Sequence, residues 1–265
     1  MIGFACYRRA VRHQRQLEIV QRLRTDGATS VDELARLLGV SSATIRRDLQ
    51  HLDEAGQITR VHGGAMIPAG DSEDADRERP FASVAADATP EKRRIARRAA
   101  TLIHDGDVVL LDVGTTTQLL ADELRGRQVT VMTTSLAVLD VLRDDPVVEL
   151  ILLGGWVRRA YHSLVGVLTE DALRQIHADV AFLGASGVRR DGFVLDTTTV
   201  EVPVKRAMIA AADKTVLLAD GNKFPGSGKL KVCGVADLDV LVTNSGADPD
   251  TLQICSDNGV EVLTT

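Results

Sequence analysis

The sequence predicts an α/β protein of two units, an N-terminal winged helix-turn-helix joined to a larger unit with a mostly parallel sheet. Two amphipathic helical patterns meet at a tight turn within residues 30–56, and a short hairpin pattern follows. From Pro90 onward, short Val, Leu and Ile runs alternate with helical patterns, which is typical of a parallel sheet covered on both faces. We expect the winged unit at residues 12–66, a linker at 67–89 and the α/β unit at 90–265.

The helix-turn-helix pattern begins at Ser30. Ser30 followed by Glu33 is a capping-box signature, and it predicts a helix that ends at Gly39. Ser41 is placed to cap a second helix. The spacing of apolar residues in that helix predicts one buried face, formed by Ile45, Leu49 and Leu52.

The opposite face of the second helix is short, polar and cationic. A helix of this kind can enter a DNA major groove and contact bases with its N-terminal residues. Residues 58–61 followed by Gly63-Gly64 predict a hairpin, the wing. The candidate DNA-binding residues are Ser41, Ser42, Ala43, Thr44, Arg46, Arg47, Gln50, Arg60 and His62. The alternative is a small helical packing module whose arginines are merely solvated.

Charge is distributed unevenly along the chain. The net charge of −6 argues against a nucleic-acid partner, but residues 1–66 carry ten Arg and seven acidic residues, a net charge of +3. The remainder carries 21 basic and 30 acidic residues, a net charge of −9. This asymmetry indicates a nucleic-acid-binding end on an acidic body.

The segments on either side of the helix-turn-helix are less regular. A pattern from about Arg12 to Asp26 predicts a helix that packs behind the helix-turn-helix. Residues 1–11 are either a basic arm or an artefact of the assigned start. After the wing, acidic residues interspersed with Gly and Pro are typical of a linker.

Composition also bears on the environment of the protein. Cys6, Cys233 and Cys255 are scattered and lack metal-ligand spacing, which is typical of reduced thiols in a cytosolic protein. No apolar run approaches the length of a membrane span, and the N-terminus lacks a signal sequence. We therefore expect a cytoplasmic protein with no metal, no cofactor and no membrane partner.

The α/β unit has a regular order of elements. The pattern predicts helices at residues 91–103, 117–124, 135–142, 169–176 and 201–212. Strands are predicted at residues 108–111, 129–132, 148–153, 180–183, 216–218, 240–242 and 260–263. In parallel sheets covered by helices, ligands bind beyond the carboxyl ends of the strands.

Three successive strand ends carry residues suited to phosphate. The first leads into D-V-G-T-T-T at residues 112–117, where Gly114 permits close backbone approach and threonine hydroxyls stand at a helix start. The next strand ends in Thr133-Thr134-Ser135, and the third in Gly154-Gly155. Thr and Ser are also ordinary helix caps, so one such loop alone is weak evidence. Three in succession favour a phosphate-binding site.

Charged residues later in the chain could complete the site. Glu201 and Lys205 stand four apart on one helix, where they either pair on a solvated face or reach a ligand. Asp220 and Lys223 follow another strand end, where lysine suits phosphate and carboxylate suits sugar hydroxyls. His162 lacks a neighbouring Cys or Asp, so we interpret it as a loop residue and not as a catalyst.

Residues 14–245 resemble the DeoR family of transcriptional regulators. In the head the resemblance depends on T-I-R-R-D-L at residues 44–49 and R-V-H-G-G-A at residues 60–65. In the rest of the chain it depends on D-V-G-T-T-T, T-T-S-L, L-L-G-G, S-L-V-G, F-L-G-A-S-G, V-K-R-A-M-I and L-A-D-G-N-K-F. The family resemblance implies an effector domain similar in fold to ribose-5-phosphate isomerase.

The resemblance also implies a function, a transcriptional regulator that senses a phosphorylated sugar. The effector residues that it implies are Asp112, Gly114, Thr115, Thr116, Thr117, Thr134, Ser135, Gly154, Gly155, Glu201, Lys205, Asp220 and Lys223. One departure concerns Ala185-Ser186-Gly187, where related proteins often carry an acidic residue, so a carboxylate for a sugar hydroxyl is missing there.

We therefore expect a repressor of a carbohydrate-metabolism operon, with no catalytic residues. It should bind double-stranded operator DNA as a homo-oligomer, dimer or tetramer, and be released by a phosphorylated sugar. The alternative is a sugar-phosphate isomerase with an appended head, in which Glu201 and Lys205 imitate a base and an acid. An activator would use the same residues as a repressor.

Overall fold

A computed structural model describes residues 15–16, 18–20, 22–23, 29–54, 58–61, 63–66, 81, 90–159, 161–226 and 228–265. The chain divides into two compact units, Met1–Asp74 and Ala75–Thr265. Each unit is described by itself. Most of residues 67–89 lies outside the described residues, so the expected boundaries 12–66, 67–89 and 90–265 stay predictions.

The first unit contains the predicted helix-turn-helix and wing. Helix α1 spans Val31–Leu38 and helix α2 spans Ser42–Glu54. Strands β1 (Thr29–Ser30), β2 (Thr59–Val61) and β3 (Gly64–Met66) form an antiparallel sheet in the order β1-β3-β2. The predicted hairpin is thus confirmed, and a third short strand joins it.

The caps of both helices are those predicted. The Ser30 hydroxyl accepts the N–H of Glu33 at 3.2 Å, and α1 ends at Gly39 with a left-handed φ of 64°. The Ser41 hydroxyl accepts the N–H of Thr44 at 3.2 Å. These short-range bonds satisfy donors that a helix start leaves without a partner.

The core of the first unit is aliphatic. Its buried side chains include the predicted stripe, Ile45, Leu49 and Leu52. The described residues between 15 and 23 are helical, and Ile19 and Leu23 join this core, although the rest of the predicted helix from Arg12 to Asp26 lies outside the described residues. The Arg15 side chain also binds buried Asp48 at 2.6 Å.

The second unit is a three-layer α/β structure. Its helices are α3 (Pro90–Ala100), α4 (Thr115–Glu123), α5 (Leu136–Leu142), α6 (Val167–Leu173), α7 (Glu201–Ala210) and α8 (Pro249–Asp257). Its strands are β4 (Val108–Leu111), β5 (Thr130–Thr133), β6 (Glu149–Leu152), β7 (Trp156–Arg158), β8 (Ser163–Val165), β9 (Ala178–Gly184), β10 (Gly187–Val188), β11 (Phe193–Asp196), β12 (Ala212–Leu218), β13 (Leu230–Gly234), β14 (Val240–Thr243) and β15 (Glu261–Thr264).

Seven strands form one parallel sheet in the order β15-β14-β12-β9-β4-β5-β6. Because successive strand residues point to opposite faces, Val109 and Leu111 join one core and Leu110 joins the other. Helices α3, α4 and α5 cover the first face, and α6, α7 and α8 cover the second. The predicted mostly parallel sheet with helices on both faces is confirmed.

Some predicted boundaries were wrong by a few residues. Helix α4 begins at Thr115, not Thr117, because Gly114 already serves as its N-cap. Helix α7 ends at Ala210, and β12 starts at Ala212 within the range predicted as helix. The run of alanines at residues 210–212 favours helix, and pairing of β12 with β9 overrides that preference from Ala212 onward.

Two small antiparallel sheets and one helix were not predicted. Strands β7 and β8 form a hairpin, and β10, β11 and β13 form a second sheet. Strands of two to five residues are too short for a periodic pattern to reveal them. Helix α8 starts with Asp248 as its N-cap and Pro249 inside its first turn, a signal that could have been recognised.

Candidate functional site

A cavity lies where the order of the large sheet reverses. From β4 the chain proceeds to β5 and β6 on one side, whereas β9, β12, β14 and β15 lie on the other. Connections therefore leave the ends of β4 and β9 in opposite directions and open a crevice there. Its wall is formed by Lys92, Val113, Gly114, Thr115, Thr116, Thr117, Tyr161, Gly184, Ala185, Ser186, Asp196, Thr197, Glu201, Lys205, Leu218, Asp220 and Lys223.

The loop after β4 presents a helix N-terminus to this cavity. Gly114 has φ 147°, a conformation that glycine adopts readily, and it has no side chain to cap α4. Thr117 donates its hydroxyl to the Gly114 carbonyl at 2.9 Å, which braces the turn. Backbone N–H groups at such a helix start are suited to bind an anion.

Lys205 is buried at the base of the cavity with two carboxylates. Its ammonium group binds the Asp112 carboxylate, the Gly184 carbonyl at 3.0 Å and, at 3.6 Å, the Asp196 carboxylate. Burial alone would lower the pKa of Lys205, but the carboxylates of Asp112, Asp196 and Glu201 raise it above its ordinary value. Lys205 is therefore a fixed cation that ties together α7 and the ends of β4, β9 and β11.

Glu201 is buried one helical turn away. Its Oε1 accepts the Ser163 hydroxyl at 2.9 Å and also contacts the guanidinium group of Arg158. Burial raises the pKa of Glu201 to about 7, although the charges of Lys205 and Arg158 oppose the rise. Near neutral pH this carboxyl can therefore either accept or donate a hydrogen bond. The sequence left two alternatives for Glu201 and Lys205, a solvated surface pair or groups that reach a ligand. Both side chains are buried, which excludes the solvated pair.

Two more lysines reach the cavity. Lys223 lies in a single 3-10 turn, Gly221–Lys223, which Asp220 caps by accepting the N–H of Asn222 at 2.9 Å. Lys92, in the first turn of α3, is only 9% exposed and lines the cavity. Within the described part of the chain, no carboxylate or other hydrogen-bond acceptor contacts its ammonium group. A buried cation without a protein partner is costly unless a ligand supplies the opposite charge.

Aromatic side chains cover one side of the cavity. Tyr161 lines the wall, and the Phe81 ring meets it edge-on at 6.1 Å between centroids. The Phe81 ring also stacks on His162 at 5.4 Å, and the Arg158 guanidinium lies over Tyr161. His162 is therefore a loop residue held by stacking, as its sequence context indicated, and Phe81 links the segment before α3 to the cavity wall.

The outer face of α2 carries the predicted DNA-binding residues. Ala43, Arg46, Arg47 and Gln50 are exposed. The Ser41 and Thr44 hydroxyls share a hydrogen bond of 2.9 Å, and Ser42 donates to Asp32 at 2.9 Å. On the exposed wing, the Arg60 N–H donates to Asp53 at 3.2 Å, whereas His62 lies outside the described residues. An exposed cationic N-terminal half is the part of a recognition helix that contacts DNA.

Comparison with known proteins assigns both units to one family. Residues 15–69 match the DeoR-like helix-turn-helix domain and residues 87–245 match the DeoR C-terminal sensor domain. A putative aga operon transcriptional repressor of Escherichia coli O157:H7 is 34% identical over 94% of this chain and 93% of that protein. The chain belongs to the DeoR family of transcriptional regulators. The glycerol-3-phosphate regulon repressor of Escherichia coli K12 is 31% identical over 94% of this DeoR-family chain and 97% of its own length.

The chain is thus a sequence-specific DNA-binding transcriptional regulator. The alternative of an isomerase with an appended head is not supported, because these relatives are repressors. Ribose 5-phosphate isomerase A of Methanocaldococcus jannaschii matches 50% of this chain and 52% of its own, with 21% identity and a TM-score of 0.37. In the described part of this DeoR-family chain, no helix has the length and hydropathy of a membrane span, and no group of three His, Cys, Asp or Glu side chains could hold a metal.

The structure places eight of the predicted effector residues of this DeoR-family regulator on the cavity wall, namely Gly114, Thr115, Thr116, Thr117, Glu201, Lys205, Asp220 and Lys223. Asp112 lies beneath them and binds Lys205. Thr134, Ser135, Gly154 and Gly155 belong to neighbouring loops. Ser135 caps α5 by accepting the N–H of Val138 at 3.2 Å, and the Thr134 carbonyl accepts the N–H of Leu164 at 2.8 Å.

Gly154 and Gly155 lie in the short connection between β6 and β7, where they contact α6. The Gly154 carbonyl accepts the buried Thr169 hydroxyl at 2.8 Å. A Cβ atom on Gly155 would lie 1.9 Å from that hydroxyl oxygen and 2.9 Å from the Val165 carbonyl oxygen. The glycine is therefore required by close packing of its backbone against α6.

Several residues of the DeoR-family cavity were not predicted: Lys92, Tyr161, Ser186, Asp196 and Thr197. The segment at residues 185–187 lacks a carboxylate, but Asp196 supplies one within 3.5 Å of the Ser186 hydroxyl. Asp196 lies at the end of β11, a strand that was not predicted, so its strand-end position was not recognised. Lys92 carries no sequence signal beyond its place at a helix start.

Replacing Gly155 should separate packing from ligand binding. We expect Gly155→Ala to lower the free energy of unfolding of the second unit by about 1–3 kcal/mol, because the added methyl overlaps Thr169 and Val165. Gly154→Ala is the matched control, since a Cβ there meets no atom within 4 Å. Urea denaturation measures both. Equal stability of the two variants would contradict the close packing.

Proposed function

We propose that this regulator is a repressor of a carbohydrate-metabolism operon. It binds operator DNA through α2 and the wing, and releases the DNA when a phosphorylated sugar occupies the cavity. The observation that carries the proposal is one cavity whose wall carries two chemically different sets of groups. The first set comprises Lys92, whose ammonium group contacts no acceptor among the described residues, and a helix start without a side-chain cap. The second comprises buried carboxylates and hydroxyls.

The first set, of cationic groups and backbone donors, suits a phosphate group. The N-terminus of α4 offers backbone N–H donors and threonine hydroxyls, and Lys92 offers a charge that no described residue neutralises. Lys223 lines the same cavity. A phosphate carries the negative charge and the acceptor oxygens that match this set.

The second set, of carboxyl and hydroxyl groups, suits a polyhydroxylated carbon chain. Asp196 and Glu201 are carboxyl groups that can accept from sugar hydroxyls, and Ser186 and Tyr161 can either donate or accept. A buried polar site of this kind discriminates strongly against analogues that lack a hydroxyl. The names of the relatives, an aga operon repressor and a glycerol-3-phosphate regulon repressor, favour carbohydrate metabolism as the regulated process.

The DNA-binding side of the proposal requires more than one copy of the chain. One winged head covers only a short half-site, so useful specificity requires two half-sites and a homo-oligomer, dimer or tetramer. We place the protein in the cytoplasm, with its DNA. Release requires the sugar phosphate to favour the state that does not bind DNA, with a coupling free energy of about 1–3 kcal/mol.

The direct test is a fluorescence-anisotropy titration of the protein on DNA from upstream of its own gene, at fixed salt. We expect tight binding that one phosphorylated sugar weakens by about 5- to 150-fold, the range of ordinary coupling free energies. The corresponding unphosphorylated sugar is the control. Operator affinity that no phosphorylated sugar changes would remove the effector part of the proposal.

Arg47 tests the DNA-binding face separately. If its exposed guanidinium group reads a base, Arg47→Ala should weaken operator binding by about 1–3 kcal/mol and leave non-specific binding nearly unchanged. Binding that weakens equally on all sequences would place Arg47 on phosphate instead. Arg93→Ala, an exposed arginine on α3, is the matched control and should leave operator affinity unaltered.

A substitution of Lys92 tests whether the cationic groups of the cavity bind a phosphate. We expect Lys92→Met to raise the free energy of unfolding of the ligand-free protein by about 1 kcal/mol or more, because an apolar chain replaces a buried cation that has no partner among the described residues. The same variant should lose the stabilisation that the effective sugar phosphate gives to wild type, about 2.7 kcal/mol at a hundredfold excess over Kd. Thermal melts with and without ligand measure both effects.

Arg93→Met is the control for this experiment, because it removes an exposed cation from the same helix turn. A purely structural role for Lys92 predicts the opposite sign in the ligand-free protein. A Lys92→Met protein that is less stable than wild type and still responds to the sugar phosphate would contradict the assignment.

A further inference from the structure

Six large apolar side chains of the second unit are exposed in three neighbouring segments. They are Ile151 and Leu152 at the end of β6, Trp156 and Val157 in β7, and Val167 and Leu168 at the start of α6. Trp156, the only tryptophan of the chain, is 73% exposed. Exposed apolar residues are ordinary when they are scattered, but grouped ones indicate an interaction surface.

Backbone contacts bring the three segments together into one surface, which we call the β6–β7 patch. Residues 153–155 directly connect β6 to β7, and the Gly154 carbonyl accepts the Thr169 hydroxyl from the first turn of α6. Gly155 packs against the same threonine, and β7 pairs with β8, which leads into α6. The three segments thus lie in one region of the surface, where Trp156, Val167 and Leu168 have the most exposed side chains.

The patch lies at an open edge of the large sheet. Strand β6 is the last strand on its side and pairs with β5, and the described residues add no further strand to it. The opposite edge strand, β15, exposes Glu261 and Thr264, whereas β6 exposes Ile151 and Leu152 beside Glu149. Polar or charged residues ordinarily protect an edge strand from pairing, and β6 lacks this protection over its second half.

The size of the patch matches a protein interface. The exposed fractions of the six residues correspond to roughly 600 Å² of surface, the upper end of what a monomer exposes in one apolar patch. A standard interface buries roughly 800 Å² on each partner, so the β6–β7 patch with a polar rim would suffice. The centre of such interfaces is commonly an aromatic side chain, here Trp156.

We propose that a second copy of this chain covers the β6–β7 patch, with the two patches facing each other across a two-fold axis. The inference deepens the proposed homo-oligomer and rests on it. A second copy is the partner that the surface itself specifies, because an isologous contact places an apolar patch against an identical one and requires no complementary charge. It also supplies the second DNA-binding head that two half-sites require.

The test measures the association of the full chain without DNA or sugar. Sedimentation should show a dimer at micromolar concentration, and the emission of Trp156 should be shifted to short wavelength and protected from iodide. On dilution the dimer should dissociate, and the emission wavelength and iodide accessibility of Trp156 should then change together to those of an exposed indole. Leu168→Glu, which leaves the tryptophan probe in place, should raise the dimer dissociation constant about 100-fold or more, because it buries a charge without a partner.

Val200→Glu is the matched control, an exposed apolar residue outside the patch, and it should leave the dissociation constant unchanged. A monomeric wild type, or a dimer that survives Leu168→Glu, would overturn the proposal. A monomer in which Trp156 is shielded would overturn it too, because another part of the same chain would then cover the patch. Operator binding and sugar response are read separately, so the proposed function can stand when this inference fails.

Discussion

The ion pair between Lys205 and Asp112 is the interaction on which the cavity depends. It joins α7 to the end of β4, and through Gly184 and Asp196 it also fixes the ends of β9 and β11. Removal of either partner of such a buried pair typically costs about 3–5 kcal/mol, because the other charge is left uncompensated. The same buried charges set the chemistry of the wall, since Asp196 lies within 3.5 Å of the Ser186 hydroxyl and the charges of Lys205 and Asp112 act on the pKa of Glu201.

The β7–β8 hairpin connects the cavity with the outer surface of the unit. Arg158 and Ser163 point their polar groups at Glu201, whereas Trp156 and Val157 of the same hairpin are exposed. Tyr161, at its turn, lines the cavity and contacts Phe81 from the segment before α3. The same hairpin therefore contributes polar groups to the cavity and apolar side chains to the proposed dimer surface.

Two residues at the cavity illustrate a cost that function imposes on the fold. Lys92 is a buried cation without a described protein partner, and Glu201 is a carboxyl group whose pKa burial raises to about 7. Neither arrangement stabilises the empty protein, because burial disfavours a charge that is not fully compensated. Both arrangements agree with the proposed ligand, a charged and hydroxyl-rich molecule. The half-buried Cys233 differs, since burial raises the pKa of its thiol to about 12 and keeps it uncharged.

The sequence by itself determined the local features of this protein. The caps at Ser30 and Ser41, the buried stripe of α2, and the Gly114 loop at a helix start all depend on residues within one or two turns of each other, so periodicity and capping rules find them. Only the tertiary structure decided which strand ends meet. The order of the large sheet places the ends of β4, β9 and β12 around one cavity and leaves the loops after β5 and β6 outside it. Asp196 and Lys92 line this cavity, whereas Gly154 and Gly155 pack against α6. Strand order arises from long-range pairing and from packing on both faces, and no pattern within a short stretch of sequence encodes it.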